Sequence, residues 1–454
     1  LSLLSHNLKM LPRELANSIC ATLQRHGHQA FLVGGCVRDL LLGREPTDYD
    51  VATNALPERV LQLFPQSLAV GAKFGVVMVL GTSGKVEVAT FRRDVSYSDG
   101  RHPDQVDFTA SAEQDVSRRD FTINGLLMRH YSGEVLDFVG GQADLDAHII
   151  RSIGDAERRF TEDKLRMLRA VRFAARFGYT IEPKTFAAIR LHAAEIHSVS
   201  TERIREELSK LLTEGASRRG FELLDETGLL QQVLPEIFAL KGVPQPPEYH
   251  PEGDVWIHTL LMLASLPAGA PRTLAWGVLL HDVGKPITFR PVSVTRDRIR
   301  FDGHVDVGVR MAAEICKRLK FSNEDSEQIQ ALVANHMKFK DVGQMRKSTL
   351  KRFVRQPHFE EHLALHRLDC LASHHRLDAY DMISKFLSDT PPEEVKPTRL
   401  LTGDDLHEMG YVPGPEYQAI LRALEDGQLE GALTTKAEAQ AFVLANYPLP
   451  KGSR

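Results

Sequence analysis

Residues 32–53 read LVGGCVRDLLLGREPTDYDVAT. A short apolar run, Phe31–Val33, leads into the pair Gly34-Gly35 and then into a helix-like segment carrying Arg38 and Asp39. Two residues without Cβ atoms let backbone N–H groups come close to a phosphate. Asp48-Tyr49-Asp50 follows. Residues i and i+2 of a strand share a face, so the spacing predicts that Asp48 and Asp50 present two carboxylates side by side. Paired hard oxygens suit Mg²⁺, which binds carboxylates together with substrate phosphate oxygens. Two such ions can clamp the attacking and leaving oxygens of an in-line phosphoryl transfer. Glu87, on the alternating stretch Val86–Thr90, is the candidate third carboxylate. An isolated Asp-x-Asp is usually a solvated turn. The glycine pair, Arg38-Asp39 and Thr53-Asn54 at their spacing reverse that balance.

The surrounding composition is that of a globular chain. Of 454 residues, 43% are hydrophobic and 26% charged, which excludes disorder over most of the length and predicts two to four domains. No apolar run approaches the roughly 20 residues of a membrane helix, and Leu1–Met10 has no basic start followed by an apolar core, so no signal peptide is expected. Cys20, Cys36, Cys316 and Cys370 are widely spaced. That excludes a disulfide framework or zinc ribbon and suits a reducing cytoplasm. The net charge of −4 excludes a chain that is basic overall, yet residues 151–220 hold 15 Lys and Arg against 10 Asp and Glu. Proline-rich stretches at 242–253 (GVPQPPEYHPEG) and 390–398 (TPPEEVKPT) read as linkers or domain edges.

Strands are expected at Phe31–Val33, Val76–Leu80 and Val86–Thr90, and helices at Leu11–His26 and Pro57–Phe64. Helices are also expected at Glu162–Phe177, with Thr161 as N-cap and acidic residues in the first turn, at Ser200–Leu212, and through most of 255–387. The fold class is therefore α+β: a small mixed α/β head (1–150), then an all-α neck (151–243), body (250–388) and tail (398–454).

Gly34, Gly35, Val37, Arg38, Asp39, Leu41, Leu42, Gly43, Asp48, Asp50 and Thr53 match a signature, GGxVRDxLLGxxxxDxDxxT. In this the chain resembles the class II tRNA nucleotidyltransferases (CCA-adding enzymes) and bacterial poly(A) polymerases. Arg118–Asn124 (RRDFTIN) is similar to that family's RRDFTxN motif, which implies that Arg119, Asp120 and Asn124 join Gly34, Gly35, Arg38 and Asp39 in holding the nucleotide's ribose and triphosphate. Arg forks suit phosphate, and Asp and Asn can bond ribose hydroxyls. Residues 137–145 (DFVGGQADL) resemble the segment joining head to neck.

Glu162–Arg166 (EDKLR) resembles the family's EDxxR motif, which implies that Asp163 and Arg166 read the base, with Glu162 supporting the helix N-terminus. A carboxylate only accepts hydrogen bonds and a guanidinium only donates. Such a pair matches the amino group and ring nitrogen of cytosine or adenine and opposes uracil and guanine. The plain alternative is an i,i+3 ion pair on a helix surface. Arg166, Arg169, Arg172 and Arg176 share an arc of roughly 120° at about 100° per residue. Read with the local basic excess, Arg169, Arg172 and Arg176 are RNA-contact candidates, against a merely solvated face. Glu202, Arg203 and Glu207, similar to an ERxxxE motif, read as braces. Tyr97–Phe108 is turn-rich and corresponds to a loop that the resemblance ties to addition of the terminal A.

Val278–Lys285 (VLLHDVGK) resembles the HD phosphohydrolase superfamily. That implies a metal set of His258, His281, Asp282 and Asp369, with His304 and His336 as additional ligands. Imidazole with carboxylate suits a divalent transition metal such as Ni²⁺, Mn²⁺ or Co²⁺ as well as Mg²⁺. His250, His358, His362, His374 and His375 read as ordinary histidines. The implied activity is 2′,3′-cyclic phosphodiesterase, 2′-nucleotidase or phosphatase. Residues 400–406 and 410–417 resemble an RNA-binding tail, with packing on the body as the alternative.

Together these readings give a cytoplasmic, RNA-binding tRNA nucleotidyltransferase, monomer or homodimer. It adds CCA or its terminal A to tRNA 3′ ends from CTP and ATP with Mg²⁺ in the head. The alternatives are a poly(A) polymerase, disfavoured because Gly71–Gly75 (GAKFG) lacks a basic GRRF-type sequence, and an HD phosphohydrolase whose head only binds RNA.

Overall fold

Ala30–Val33 forms a strand (β1) buried on both faces, and the head is assembled around it. Phe31 and Val33 pack with Ala52, Phe91 and Leu127 on one side. Leu32 packs with Ile19, Leu23, Val51 and Val88 on the other. The chain is described here from a computed structural model covering residues 11–71, 74–82, 84–94 and 106–448. The N-terminal stretch 1–10, most of the 97–108 loop and Ala72-Lys73 of the GAKFG stretch lie outside the described residues. Internal contacts divide the chain into two units, Leu1–Phe238 with Pro267–Gly269 and Ala239–Leu266 with Ala270–Arg454.

In the first unit the strands after β1 are β2 (Asp50–Thr53), β3 (Ser67–Leu68), β4 (Val76–Gly81), β5 (Gly84–Thr90), β6 (Arg92–Asp94), β7 (Val106–Phe108), β8 (Leu126–Met128), β9 (Val135–Asp137), β10 (Ile149–Ile150) and β11 (Thr180–Ile181). Seven of them make one sheet in the order β3-β4-β5-β2-β1-β8-β9. Only β2 and β5 run parallel, and their register sets Asp50 directly beside Glu87. The helix Pro12–Arg25 buries Leu15, Ala16, Ile19, Cys20 and Leu23, an i, i+4, i+8 stripe that covers one face of the sheet. Beyond the sheets the unit is mostly helical, with Leu165–Phe177 and Thr201–Thr213, 13 residues each, as its longest helices after Pro12–Arg25.

Two local expectations are corrected. The strand begins at Asp50, so Asp48 sits in the bend before it, although the buried Tyr49 between them preserves the alternation. The helix expected from Glu162 is broken: Ala156–Glu162 ends at Asp163, whose extended backbone (φ −146°, ψ 103°) precedes the helix Leu165–Phe177. Thr161 is no N-cap, since its hydroxyl donates to the Glu157 carbonyl within the first helix. The capping interaction comes instead from Asp163 Oδ1, which accepts the Leu165 N–H at 3.1 Å.

The second unit is helical around the buried Trp276, whose ring meets Phe321 edge-on at 5.1 Å. The proline-rich stretch expected as a linker is tied down. Val255 N–H donates to the Val243 carbonyl at 3.0 Å, and the Gly242 N–H to Asp254, the N-cap of helix Val255–Ser265. The tail has a small core of its own, including Leu401, Leu406, Ile420, Leu424 and Val443. Arg352 and Arg355, on and just after the helix Lys347–Val354, pair with Glu425 of the tail helix Pro415–Glu430. Among the described residues no helix is long and apolar enough to cross a membrane.

Gly284 is where the His281-Asp282 turn meets the helix His304–Arg318. A Cβ there would lie 2.2 Å from the His304 carbonyl oxygen and 2.7 Å from the Gly308 nitrogen. Backbone cannot yield as a side-chain end can. Gly284→Ala is therefore expected to cost the second unit on the order of 1–3 kcal/mol of unfolding free energy, measured by chemical denaturation.

Candidate functional site

A cavity of about 970 Å³ opens in the first unit. Gly34, Gly35, Arg38, Asp48, Asp50, Glu87, Arg119, Asp120, Asn124, Asp163, Arg166, Arg169, Arg172 and Arg176 all line it. Asp39 does not; it stands behind Arg38, accepting Nε and Nη2 at 2.9 and 2.7 Å.

Asp50 and Glu87 are neighbours across the parallel strands, with Asp48 close by. Burial first, then Glu87 and Asp48, push the Asp50 carboxyl up to about 6 against the pull of Arg119. A half-buried carboxylate crowded by two further anions is a condition that a divalent cation relieves, so these three residues fit a metal. Gly34, at φ 77° and ψ −130°, takes a conformation costly for other residues, and a Cβ there would sit 3.4 Å from Arg119 Nη1.

The cationic wall is fixed from behind. Arg38 is buried, donates through Nη1 to Asn124 Oδ1 at 2.6 Å, and lies 4.5 Å from the centre of the Phe177 ring. Asp120 accepts the Phe121 N–H and the Asn124 amide on one oxygen and both Nε and Nη2 of Arg169 on the other. Burial pushes the Asp120 carboxyl up, but Arg169 and the hydrogen bonds overcome this and hold it down at about 2. Asp115, absent from the residues that the sequence motifs single out, binds both Arg118 and Arg119 from a fully buried position. Its signal is its i,i+3 and i,i+4 spacing to two arginines.

Asp163 and Arg166 each have partners other than one another. Asp163 Oδ2 accepts from Arg203 Nη2 at 2.8 Å. Arg166 donates to the carbonyls of Arg159 and Arg118 and to Glu162. The i,i+3 ion pair is thereby corrected: the backbone break at Asp163 removes the helical neighbourhood. Glu162 ends a helix rather than starting one, and it holds Arg159 and Arg166. The remaining arginines of the stripe are also partnered. Arg172 donates to Glu207 at 2.7 Å, and Arg172 and Arg176 both reach Glu214. Much of the local basic excess is thus met by carboxylates within this unit.

In the second unit, ligand atoms of His258, His281 and Asp369 lie within 4.8 Å of one another, as do those of Asp282, His304 and His336. Nδ1 of His281, His304 and His336 donates to the carbonyl oxygen three residues earlier, at 2.9, 2.9 and 2.7 Å. His258 Nδ1 donates instead to Glu252 Oε1 at 2.7 Å. Nε2 of all four imidazoles is buried without a hydrogen bond. Four Nε2 atoms therefore converge with the Asp282 and Asp369 carboxylates, a donor set that fits a divalent metal. Burial pushes the His336 imidazole down to about 4, keeping that nitrogen unprotonated at neutral pH. Lys285, ion-paired with Asp282 at 2.7 Å, is held by Gln245 at 2.6 Å. Gln245, His250 and Glu252 escape the motif reading because they sit in the proline-rich stretch. His250, read as ordinary, bonds Glu252 at 2.9 Å with its ring 4.9 Å from that of His258.

Comparison with known proteins bears on both sites. Residues 30–151 match the Poly A polymerase head domain, 178–240 the probable RNA and SrmB-binding site of polymerase A, and 255–356 the HD domain. The chain is 40% identical over 270 residues to the CCA-adding enzyme of Latilactobacillus sakei subsp. sakei (strain 23K), covering 58% of this chain and 68% of that relative. It is 45% identical over 218 residues to the CCA-adding enzyme of Geobacillus stearothermophilus, covering 48% of this chain and 54% of that relative. The crystal structure of the Bacillus stearothermophilus CCA-adding enzyme in complex with CTP has a TM-score of 0.74 at 28% identity, over 96% of this chain and 98% of that one. The Thermotoga maritima CCA-adding enzyme complexed with tRNA shares the fold, with a TM-score of 0.58 at 19% identity over 96% of each chain.

Asp120 tests the wall. Its pKa is depressed, so its pairing contributes stability above about pH 4 that is lost as pH falls through about 2. Asp120→Ala, which leaves Arg169 only the longer contact to Glu207 at 3.8 Å, is expected to lower the unfolding free energy at pH 7 by about 1–3 kcal/mol. The gap from the unsubstituted protein should narrow below pH 4 in denaturant titrations.

Proposed function

This chain belongs to the CCA-adding enzyme family, and on that premise we propose that it is a template-independent tRNA nucleotidyltransferase, building the 3′ CCA end or its terminal A from CTP and ATP. The observation that carries the reading is one cavity that holds three crowded carboxylates, a partnered arginine wall, and both Asp163 and Arg166.

The RNA 3′ oxygen attacks the α-phosphate; the new O–P bond forms as the bond to the β-phosphate bridging oxygen breaks, and pyrophosphate leaves. The 3′-OH proton goes to solvent. Asp48 and Asp50, with Glu87 beside them, would hold Mg²⁺, whose chemistry there is charge neutralisation and a more acidic 3′-OH. Arg119, steadied by Asp115, meets triphosphate charge beside Gly34. Asp120, Asn124 and Asp39 act mainly by fixing Arg169 and Arg38, so these guanidiniums need not reorganise when substrate enters. Asp163 keeps acceptor capacity beyond Arg203 and Leu165, and Arg166 keeps donors beyond its three partners. Both therefore offer fixed polarity to the base edge, and Arg169, Arg172 and Arg176 contact RNA where their exposed edges allow.

The HD centre takes a divalent transition metal or Mg²⁺ and supports phosphohydrolase chemistry on small phosphate esters. Four free, buried cysteines suit work in a reducing cytoplasm.

The test offers purified protein three tRNA transcripts, ending before CCA, after C and after CC, with each nucleotide and Mg²⁺, and reads product length on a gel. Addition that stops at CCA supports the full reaction, and a single A only on the CC-ended transcript supports the terminal-A reaction. Long A tails on any RNA, or no incorporation by folded protein, contradict the proposal. Asp48→Ala with Asp50→Ala should abolish incorporation while divalent-metal binding by the HD centre persists.

A further inference from the structure

Of the four converging imidazoles in the second unit, three are oriented identically, by the carbonyl three residues back in their own helix or turn. His258, in the first turn of helix Val255–Ser265, does not use that device: the carbonyl three back, that of Val255, accepts the Thr259 hydroxyl at 2.8 Å instead. Its Nδ1 is met by a side chain from outside the helix, Glu252 Oε1 at 2.7 Å. Glu252 is itself confined: the same oxygen accepts from His250 Nδ1 at 2.9 Å, and Oε2 is buried without a partner. The backbone that carries it is anchored on both sides, by Asp254 capping the helix and accepting the Gly242 N–H, and by Val255 N–H on the Val243 carbonyl. His250, Glu252 and His258 bring ligand-type atoms together too. Since their Nδ1 and Oε1 atoms are spent on one another, this group orders the metal centre and is not a third ion site.

We propose that Glu252 is the positioning residue of the HD centre: its carboxylate, held by His250, fixes the His258 ring with Nε2 directed at Asp369. His258 Nε2 lies 3.2 Å from Asp369 Oδ1, so the orientation set by Glu252 is the one the donor set needs. An anionic partner on Nδ1 enriches the other nitrogen in electron density, where a carbonyl does so less. The inference rests on the reading of these residues as a divalent-metal centre. It also accounts for the proline-rich stretch, in which Pro244, Pro246, Pro247 and Pro251 restrict the backbone that presents Gln245 to Lys285 and Glu252 to His258.

The test uses the full chain, stripped with chelator and titrated with Co²⁺, reading affinity by calorimetry and by the visible absorption of the bound ion. Glu252→Ala should weaken Co²⁺ binding by about 10- to 100-fold, with melting of the metal-free protein unchanged. Glu252→Gln, which keeps a neutral acceptor for His258 Nδ1–H, should fall between the two and carries the comparison if the alanine variant does not fold. Equal Co²⁺ affinity in the unsubstituted chain and both variants would overturn the assignment while leaving the centre intact. A folded, unsubstituted chain that binds no Co²⁺ would overturn the reading of the centre, and this assignment with it.

Discussion

Guanidinium groups held by buried and half-buried carboxylates are the constraint on which the first unit depends. Asp120 on Arg169, Asp115 on Arg118 and Arg119, Asp39 on Arg38, Glu207 on Arg172 and Glu162 on Arg166 each remove a long side chain's freedom and leave its charge in place. A cavity walled this way presents donors at fixed positions before any nucleotide arrives. The desolvation cost of these cations is offset inside the protein by their partners, so the site is preorganised rather than merely basic. The same cavity holds Asp48, Asp50 and Glu87, acids crowded on one another with Arg119 pulling against the crowding.

The second unit applies the same logic to imidazoles. Orienting each ring through Nδ1 settles its tautomer and commits Nε2 to the centre. Three of the four anchors are backbone carbonyls, which ask nothing of the sequence beyond the helical spacing. The fourth had to be supplied by a side chain from the segment ahead of the helix.

How much of this was legible in the sequence follows the range of the interactions. The strands at Phe31–Val33, Val76–Leu80 and Val86–Thr90 and the helices at Leu11–His26 and Pro57–Phe64 appear within about a residue or two of their expected ends, because burial imposes its period on the local sequence. The residues gathered around the two centres were also readable, since their motifs keep short fixed spacings. The break at Asp163 was not: its neighbours are good helix formers, and what stops the helix is one aspartate that caps the next turn and reaches Arg203, forty positions away. The arginine stripe was legible as charge but not as occupancy, because Glu207 and Glu214 come from elsewhere in the chain. Glu252 was hidden by composition, since proline density signals a break and says nothing of what the rigid backbone presents.

The central claim is that base choice lies in protein side chains whose polarity is fixed, chiefly Asp163. The direct measurement is the ratio of CTP and ATP incorporation to UTP and GTP incorporation on a tRNA transcript lacking CCA, for the unsubstituted protein and for Asp163→Ala. Removing the acceptor that a wrong base must face should lower that ratio by at least about tenfold, the equivalent of one unpaired buried polar group. A slower enzyme with its selectivity unchanged would contradict the account.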